Sequence, residues 1–282
     1  MILHPEYNMI PALKMLWKKG FKDEDGYIDF FFSKRYKPEN TFVYMESGSP
    51  VSMASVFNAK LFRKNEQLPN GDFLPAGYIY AVTTLPEHQG KGFSTAILEH
   101  INNIYPTTFL VPLAGALGFY EKRGFSPAFT LSELELRLCD LKAPDKNFKT
   151  KTVTPDEYSY IRDSHFINDG YICWDTEAIA YALAENNYCG GSAVKIEIDE
   201  KKGTHGILLY GKHNDRLLII ETTLPLLMLR DVAYNLMKQE GVNTCHVRLA
   251  SDKTSAGRPF GLLRTSTGGA AVKNGYCNLV LD

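Results

Sequence analysis

Residues 78–95, YIYAVTTLPEHQGKGFST, constrain the fold of this chain more than any other stretch. A β-branched and aromatic run ends at Pro86, and the turn Gln89-Gly90-Lys91-Gly92-Phe93-Ser94 follows. Apolar residues then recur at Phe93, Ile97, Leu98, Ile101 and Ile104, the spacing of one helix face. A strand therefore hands over to a helix through a turn with two glycines. Glycine permits positive φ there and lets a ligand approach the backbone. Unpaired amides opening the helix point into the turn, where the macrodipole favours negative charge. A phosphate or diphosphate is the natural occupant. Two better-known phosphate loops do not fit. Lys91 is followed by Gly92, where the P-loop needs Ser or Thr. Two glycines after strands that read as antiparallel do not make the three-glycine fingerprint of a βαβ unit. Taken alone, such a turn also fits a plain connection.

The rest of the composition narrows the class. The 282 residues suit two domains or one large one, and 44% hydrophobic content is ordinary for a folded chain. With 31 basic and 32 acidic residues the formal net charge is −1, which argues against nucleic-acid binding through a wide basic surface. Five cysteines, at 139, 173, 189, 245 and 277, form no C-x-x-C pair. An odd count without metal spacing predicts reduced thiols, with neither a disulfide framework nor a zinc site. His4, Glu6, Lys14 and Lys18 interrupt the start of the chain, and no run nears the roughly 20 apolar residues of a membrane span. The expectation is a cytoplasmic protein without a membrane partner.

Along the chain, residues 9–21 and 27–36 read as helices. Residues 41–45 and 50–61 read as paired strands, 64–74 as a polar loop and 77–84 as a strand. A helix over 93–103 follows, then a strand over 108–113 and a short helix at 118–122. Residues 131–138, LSELELRL, alternate apolar and charged side chains as a half-exposed strand does. The polar run KAPDKNFKTK at 142–151 marks a linker. Thr154, Pro155 and Glu157 then spell a capping box. Another helix is expected over 175–185, strands over 193–198, 204–212 and 216–223, a helix over 226–238, and strands over 244–250 and 276–281. The halves list similar elements in similar order, and Thr83-Thr84-Leu85-Pro86 is echoed by Thr222-Thr223-Leu224-Pro225.

Gln89-x-x-Gly92-x-Ser94 resembles the Q/R-x-x-G-x-G/A signature of the GNAT (Gcn5-related) N-acetyltransferase superfamily. Some 25 residues on, Phe119-Tyr120-Glu121-Lys122-Arg123-Gly124-Phe125 is similar to its F-Y-x-x-x-G-F hallmark. Order and separation both match, across roughly residues 1–140. Ser94 departs from the usual Gly or Ala, but it is small. The resemblance implies an α/β (α+β) fold with two GNAT-like domains, each a mixed, mostly antiparallel sheet flanked by helices. The expected boundaries are 1–141, a linker at 142–151, and 152–282.

What the resemblance implies for chemistry attaches to particular residues. The strand Val82-Thr83-Thr84 would pair with the pantetheine arm of acetyl-CoA, the acyl donor. An amide near Val82 would polarise the thioester carbonyl. The backbone of Gly90, Lys91, Gly92, Phe93, Ser94 and Thr95 would hold the diphosphate, with Gln89 supporting the loop. Tyr120 would be the catalytic acid that protonates the departing thiolate; its bland alternative is a core aromatic beside Phe119 and Phe125. No metal is implied. The acceptor would be a primary amine of a small molecule or peptide, and a homo-oligomer is compatible with the reading. Tyr80, Glu46, Asp72 and His88 are candidate bases by position.

The second half has no glycine after Pro225, and Phe260-Gly261-Leu262-Leu263-Arg264 stands where a tyrosine motif would. It reads as a GNAT domain without its cofactor loop. The tandem layout resembles the enhanced intracellular survival family, whose members carry a third, sterol-carrier-like domain; this chain stops at Asp282, before one. Two alternatives remain. One is a tandem aminoacyl transferase of the peptidoglycan-bridge type, and the other a non-catalytic acyl-CoA-binding module. Aromatic residues at 17, 21, 27, 30, 31, 32 and 36, interleaved with Asp23, Glu24, Asp25 and Asp29, read as a packed helix pair with a solvated acidic turn, or as one wall of a cation pocket.

Overall fold

The computed structural model describes residues 1–66, 68–145, 148–199, 203–251, 257–266 and 271–279. The chain forms two compact units, one of Met1–Lys60, Pro75–Ser126 and Gly261–Ala270, the other of Leu61–Leu74, Pro127–Phe260 and Ala271–Asp282. Each is a mixed, mostly antiparallel sheet with helices packed on it, the class read from the sequence.

In chain order the first elements are β1 (Ile2–Leu3), α1 (Ile10–Phe21), α2 (Asp25–Lys34), β2 (Thr41–Glu46), β3 (Ser49–Asn65), β4 (Leu68–Thr84), α3 (Phe93–Ile104), β5 (Thr107–Leu110) and α4 (Leu117–Glu121). β1 pairs antiparallel with β2, and β2 with β3, where Thr41 faces Ser55. β4 neighbours β3 and pairs in parallel with β5. The helix spacing of the sequence becomes the core: Ile97, Leu98 and Ile101 of α3 are buried against Phe42, Val56, Ile79 and Leu110. Leu13, Leu16 and Trp17 form the buried stripe of α1, which ends where Lys22 turns left-handed at φ 66°.

The elements that follow are β6 (Ser126–Arg137), β7 (Thr150–Thr152), α5 (Pro155–Phe166), β8 (Tyr171–Trp174), α6 (Thr176–Tyr188), β9 (Ser192–Asp199), β10 (Thr204–His213), β11 (Arg216–Thr222), α7 (Leu226–Glu240), β12 (Thr244–Ala250) and β13 (Arg258–Thr265). In the second unit the order is β6-β12-β11-β10-β9-β7, antiparallel except for the parallel β11–β12 pair. Leu136, Ile196, Leu217, Ile219 and Cys245 are buried under Leu229, Ala233 and Met237 of α7. The capping box of α5 forms: Glu157 N donates to Thr154 Oγ1 at 3.3 Å, and Thr154 N to Glu157 Oε2 at 3.0 Å.

Three readings change. Residues 64–74 are not a loop, because β3 runs to Asn65 and β4 starts at Leu68. Pro69, Asn70 and Gly71 suggested a turn, but Gly71 makes room for Phe62, whose ring would lie 2.3 Å from any Cβ there. Phe62 and Phe73 then pack with centroids 5.0 Å apart. Residues 276–279 carry only an isolated bridge, Tyr171 with Tyr276, in place of the expected strand; 280–281 lie outside the described residues. β13 is a strand, where the sequence suggested only a lost motif. Its Leu262 faces Leu110 and its Thr265 faces Thr107 in an antiparallel ladder with β5. Phe260, Gly261, Leu262 and Leu263 are all buried, so the run shows no alternation to read.

Candidate functional site

The end of β4 builds the first wall of the site. Its ladder with β5 holds only at Gly77↔Thr108 and Tyr78↔Phe109, yet the strand continues to Thr84. Ala81 interrupts it with a φ of 53°. A residue with a Cβ adopts that left-handed region at a cost of about 1 kcal/mol or more, so the neighbours must hold it there. β3 holds the far edge. Leu85 N donates to Val51 O at 2.9 Å. Ser52 Oγ donates to Thr83 O at 2.8 Å and so accepts from Thr84 Oγ1, also at 2.8 Å. Gly20 in the last turn of α1 lies on Thr83; a Cβ there would be 1.9 Å from Thr83 Oγ1.

The turn supplies the second wall. Gly90 and Gly92 have φ of 78° and 85°, and Gly92 is the N-cap of α3 with no side-chain cap. A Cβ on either glycine would meet nothing within 4 Å. Backbone conformation, and not crowding, is what asks for glycine. Gln89 Nε2 donates to Thr84 O at 3.3 Å, tying the turn to the strand. Glu46 Oε2 lies 2.6 Å from His88 Nδ1 and 3.7 Å from Lys91 Nζ, a small ionic cluster beside the turn.

Tyr120 supplies the third. Burial pushes its phenol up to about 12, with the Arg123 charge opposing the rise. Its ring packs edge-on against Phe119 and Phe125, with centroids 5.1 and 5.9 Å away.

A cleft of about 400 Å³ collects Val82, Thr83, Thr84, Gln89, Gly90, Gly92, Phe93, Ser94 and Tyr120. Two members of the expected set do not line it. Lys91 turns toward Glu46 and His88, and Thr95 Oγ1 accepts hydrogen bonds from Arg123. Gly20, Phe21, Leu113, Ala116 and Phe119 also line the cleft and were not assigned from the sequence. Gly20 was the readable signal, since a glycine inside a helical pattern marks a close approach.

Among the candidate bases, His88 lines the cleft and its Nδ1 is the neighbour of the Glu46 carboxylate. The Tyr80 hydroxyl is 3.5 Å from that of Tyr27, within an aromatic cluster with Trp17 and Phe31. Asp72 belongs to the other unit, where its carboxylate accepts from Phe73 N at 2.8 Å. Three of the four acidic residues of the helix pair are also engaged: Asp23 by Trp17 Nε1 at 2.7 Å, Asp29 by Lys14 at 2.7 Å and Asp25 by Lys18 at 2.6 Å. With Trp17 and Phe31 buried, the packed-helix reading describes this region.

A larger cavity, about 560 Å³, lies in the second unit, between α5 and the β9–β10 pair. It contains none of the expected site residues, and its Glu157 and Lys195 pair with each other. Among the described residues no cluster of three or more His, Cys, Asp or Glu side chains could hold a metal, and no helix is long and apolar enough to cross a membrane.

Residues 6–128 match the model of the acetyltransferase (GNAT) domain family. They are a GNAT acetyltransferase domain. Solved structures carry the fold likeness over nearly the whole chain. A probable N-acyltransferase from Enterococcus faecalis V583 superposes with a TM-score of 0.74 at 14% identity, covering 94% of this chain and 72% of that one. Eis1 from Mycobacterium abscessus gives 0.63 at 12%, covering 94% and 74%. A tandem GNAT protein from the clavulanic acid biosynthesis pathway gives 0.54 at 13%, covering 96% and 99%. Among curated protein sequences none matches significantly.

Proposed function

We propose that this protein is an acetyl-CoA-dependent N-acetyltransferase that moves an acetyl group to a primary amine of a small molecule or peptide. One observation carries the reading. The end of β4, the glycine-opened start of α3 and the Tyr120 phenol meet in a single cleft. The amides of the first turn of α3, with those of Gly90 and Lys91, take the diphosphate. Val82, Thr83 and Thr84 pair with the pantetheine arm, and an amide near Val82 polarises the thioester carbonyl as negative charge develops on it. Gln89 keeps the turn at a fixed distance from that strand.

The transfer is direct. The neutral amine forms the N–C bond to the thioester carbonyl, and the C–S bond breaks. Tyr120 gives its proton to the thiolate, and the surplus proton on nitrogen leaves by a base or water and restores the phenol. Holding both reactants in one cleft removes much of the entropic barrier. Burial suits the acid role, because it keeps the phenol protonated at any physiological pH. We place the protein in the cytoplasm and read the second half as a GNAT-like domain without a cofactor loop, in support of the first.

The test is CoA release from acetyl-CoA against a panel of primary amines, with mass spectrometry of the purified protein for bound CoA. Turnover with an amine is expected. Transfer from an aminoacyl-tRNA in its place would favour the peptidoglycan-bridge class, and tight acetyl-CoA binding without release to any amine would favour a binding module.

A further inference from the structure

Arg123 joins two parts of the site's framework, the start of α3 and the segment before Tyr120. Its Nε donates to Thr95 Oγ1 at 3.1 Å, and its Nη2 donates to the same hydroxyl. Its Nη1 donates to Phe119 O at 2.5 Å. The guanidinium lies over the Phe119 ring, 3.6 Å from the centroid. Thr95 is in the first turn of α3, and Phe119 directly precedes Tyr120.

Resting on the acetyl-transfer reading above, we propose that Arg123 is a positioning residue. It locks the helix that carries Tyr120 to the helix start that takes the diphosphate, and it holds a positive charge beside the phenol as the proton leaves. The two ends of the bound thioester are then gripped by elements joined through one side chain. α4 spans only Leu117–Glu121, and so short a helix does not hold its own geometry. A planar fork that stacks on a ring and donates in two directions does this job, and an ammonium does not. The charge matters because burial alone disfavours the phenolate, and Arg123 acts against that. Among the described residues no group hydrogen-bonds the Tyr120 hydroxyl, so the ring's placement rests on its packing and on this lock.

The experiment is a double-mutant cycle on acetyl transfer to the best acceptor from the amine panel, with Arg123→Met, Arg123→Lys, Tyr120→Phe and Arg123→Met/Tyr120→Phe. Arg123→Met is expected to lower kcat at least about tenfold, a part of the roughly 10²–10⁴-fold that a general acid contributes, with the KM for acetyl-CoA within about threefold. Arg123→Lys falls between it and the parent. The double variant is no slower than Tyr120→Phe alone, because Arg123 acts through Tyr120. An unchanged kcat in Arg123→Met, a loss seen only in KM, or losses that multiply in the double variant would overturn the proposal. A Tyr120→Phe variant at the parent rate would remove the acid role of Tyr120 and overturn the proposal with it, whereas a panel with no acceptor would instead sink the acetyl-transfer reading on which it rests.

Discussion

Replacing Gly92 separates the backbone demand of the turn from its demand for a ligand. Gly92 has φ 85°, and a Cβ there meets no atom within 4 Å. Alanine therefore brings conformational strain and no clash. Left-handed backbone costs about 1–2 kcal/mol for a residue with a Cβ, and the lower entropy of the unfolded alanine variant adds a further cost-reducing term of about 0.4–1 kcal/mol. The net loss in Gly92→Ala is about 1 kcal/mol, or roughly 2–4 °C in a chain of this size. Glutamate carries the same strain, and its charge at a helix N-terminus returns about 0.3–1 kcal/mol. The two variants should thus melt within a few degrees of each other without ligand. They should differ sharply with acetyl-CoA. A ligand at 100 times its Kd stabilises by about 2.7 kcal/mol. That gain should persist at least in part in Gly92→Ala and vanish in Gly92→Glu, where a carboxylate competes for the amides we propose take the diphosphate. Differential scanning fluorimetry with and without acetyl-CoA reads both effects. An undiminished acetyl-CoA shift in Gly92→Glu would show that the diphosphate lies elsewhere.

Tyr120→Phe should lower kcat by about 10²–10³-fold while leaving acetyl-CoA affinity nearly intact, since in the proposed mechanism the hydroxyl serves the departing sulfur; stopped-flow or thiol-release kinetics check it. With the phenol at about 12, Tyr120 stays protonated below pH 10, so a pH–rate profile taken between 6 and 10 should show no falling alkaline limb from this group. In the second unit Arg162 and Glu221 are wholly buried and paired at 3.0 Å. Arg162→Met strands the carboxylate and should cost about 3–5 kcal/mol in urea unfolding, and removing both charges together should cost less than removing one. Tyr158 and Tyr276 each donate to Glu221 at 2.8 Å, and burial, then the Glu221 charge, pushes both phenols well above 10. Their stabilisation is complete below the unfolded value near 10 and is lost as pH rises toward the folded values, by about 1.4 kcal/mol per pH unit for each tyrosine. Alkaline melting of Tyr158→Phe should start at higher pH than that of the parent.

The elements legible in the sequence share a physical trait: each has one face toward the core and one toward water. Residues 131–138 alternate, α3 repeats at helical spacing, and the α5 cap is written as Thr154, Pro155 and Glu157. β8 escaped because it is a mostly buried run of four residues, and β13 because the four residues at its centre are all buried, so that periodicity vanishes in both. The arm at 61–74 escaped because its turn-forming residues answer to Phe62 packing over Gly71. At the site, the residues with a motif were legible and those acting by contact were not. Arg123 has no spacing rule, and Gly20 inside a helical pattern marks a close approach without naming its partner; their partners, Thr95 and Thr83, lie 28 and 63 residues away and become visible only once α4 meets α3 and α1 meets β4. Ala81 gave no signal at all, since its residue type contradicts its φ.

The repeated Thr-Thr-Leu-Pro leads into two different helix starts. After Pro86, residues 87–92 intervene before α3 begins, and two of them are left-handed glycines. After Pro225 nothing intervenes, and α7 begins at Leu226. The first arrangement holds the helix start away from the strand end, leaving a cleft between them. The second carries the chain straight from strand to helix, with bulky Leu226 and Leu227 on the first turn. The strand ends face different surroundings. Thr83 and Thr84 line the cleft with Tyr120. Thr223 lines the larger cavity of the second unit, with Thr223 Oγ1 accepting from Ile207 N at 3.0 Å and Thr222 Oγ1 donating to Ile207 O at 3.1 Å. Beside them Glu221 is sealed at zero exposure by Arg162, Tyr158 and Tyr276. A carboxylate so enclosed has no path to a substrate, so its work is to fasten α5 and residues 276–278 to β11. Grafting residues 87–92 between Pro225 and Leu226 would restore the glycines but not the site, because the cavity at Thr223 is lined by α5, β9 and β10 and by no residue of α7. Acetyl-CoA should therefore give such a variant no second binding event by calorimetry; a second site with the stoichiometry of the first would show that the loop alone decides, and that the buried network is incidental.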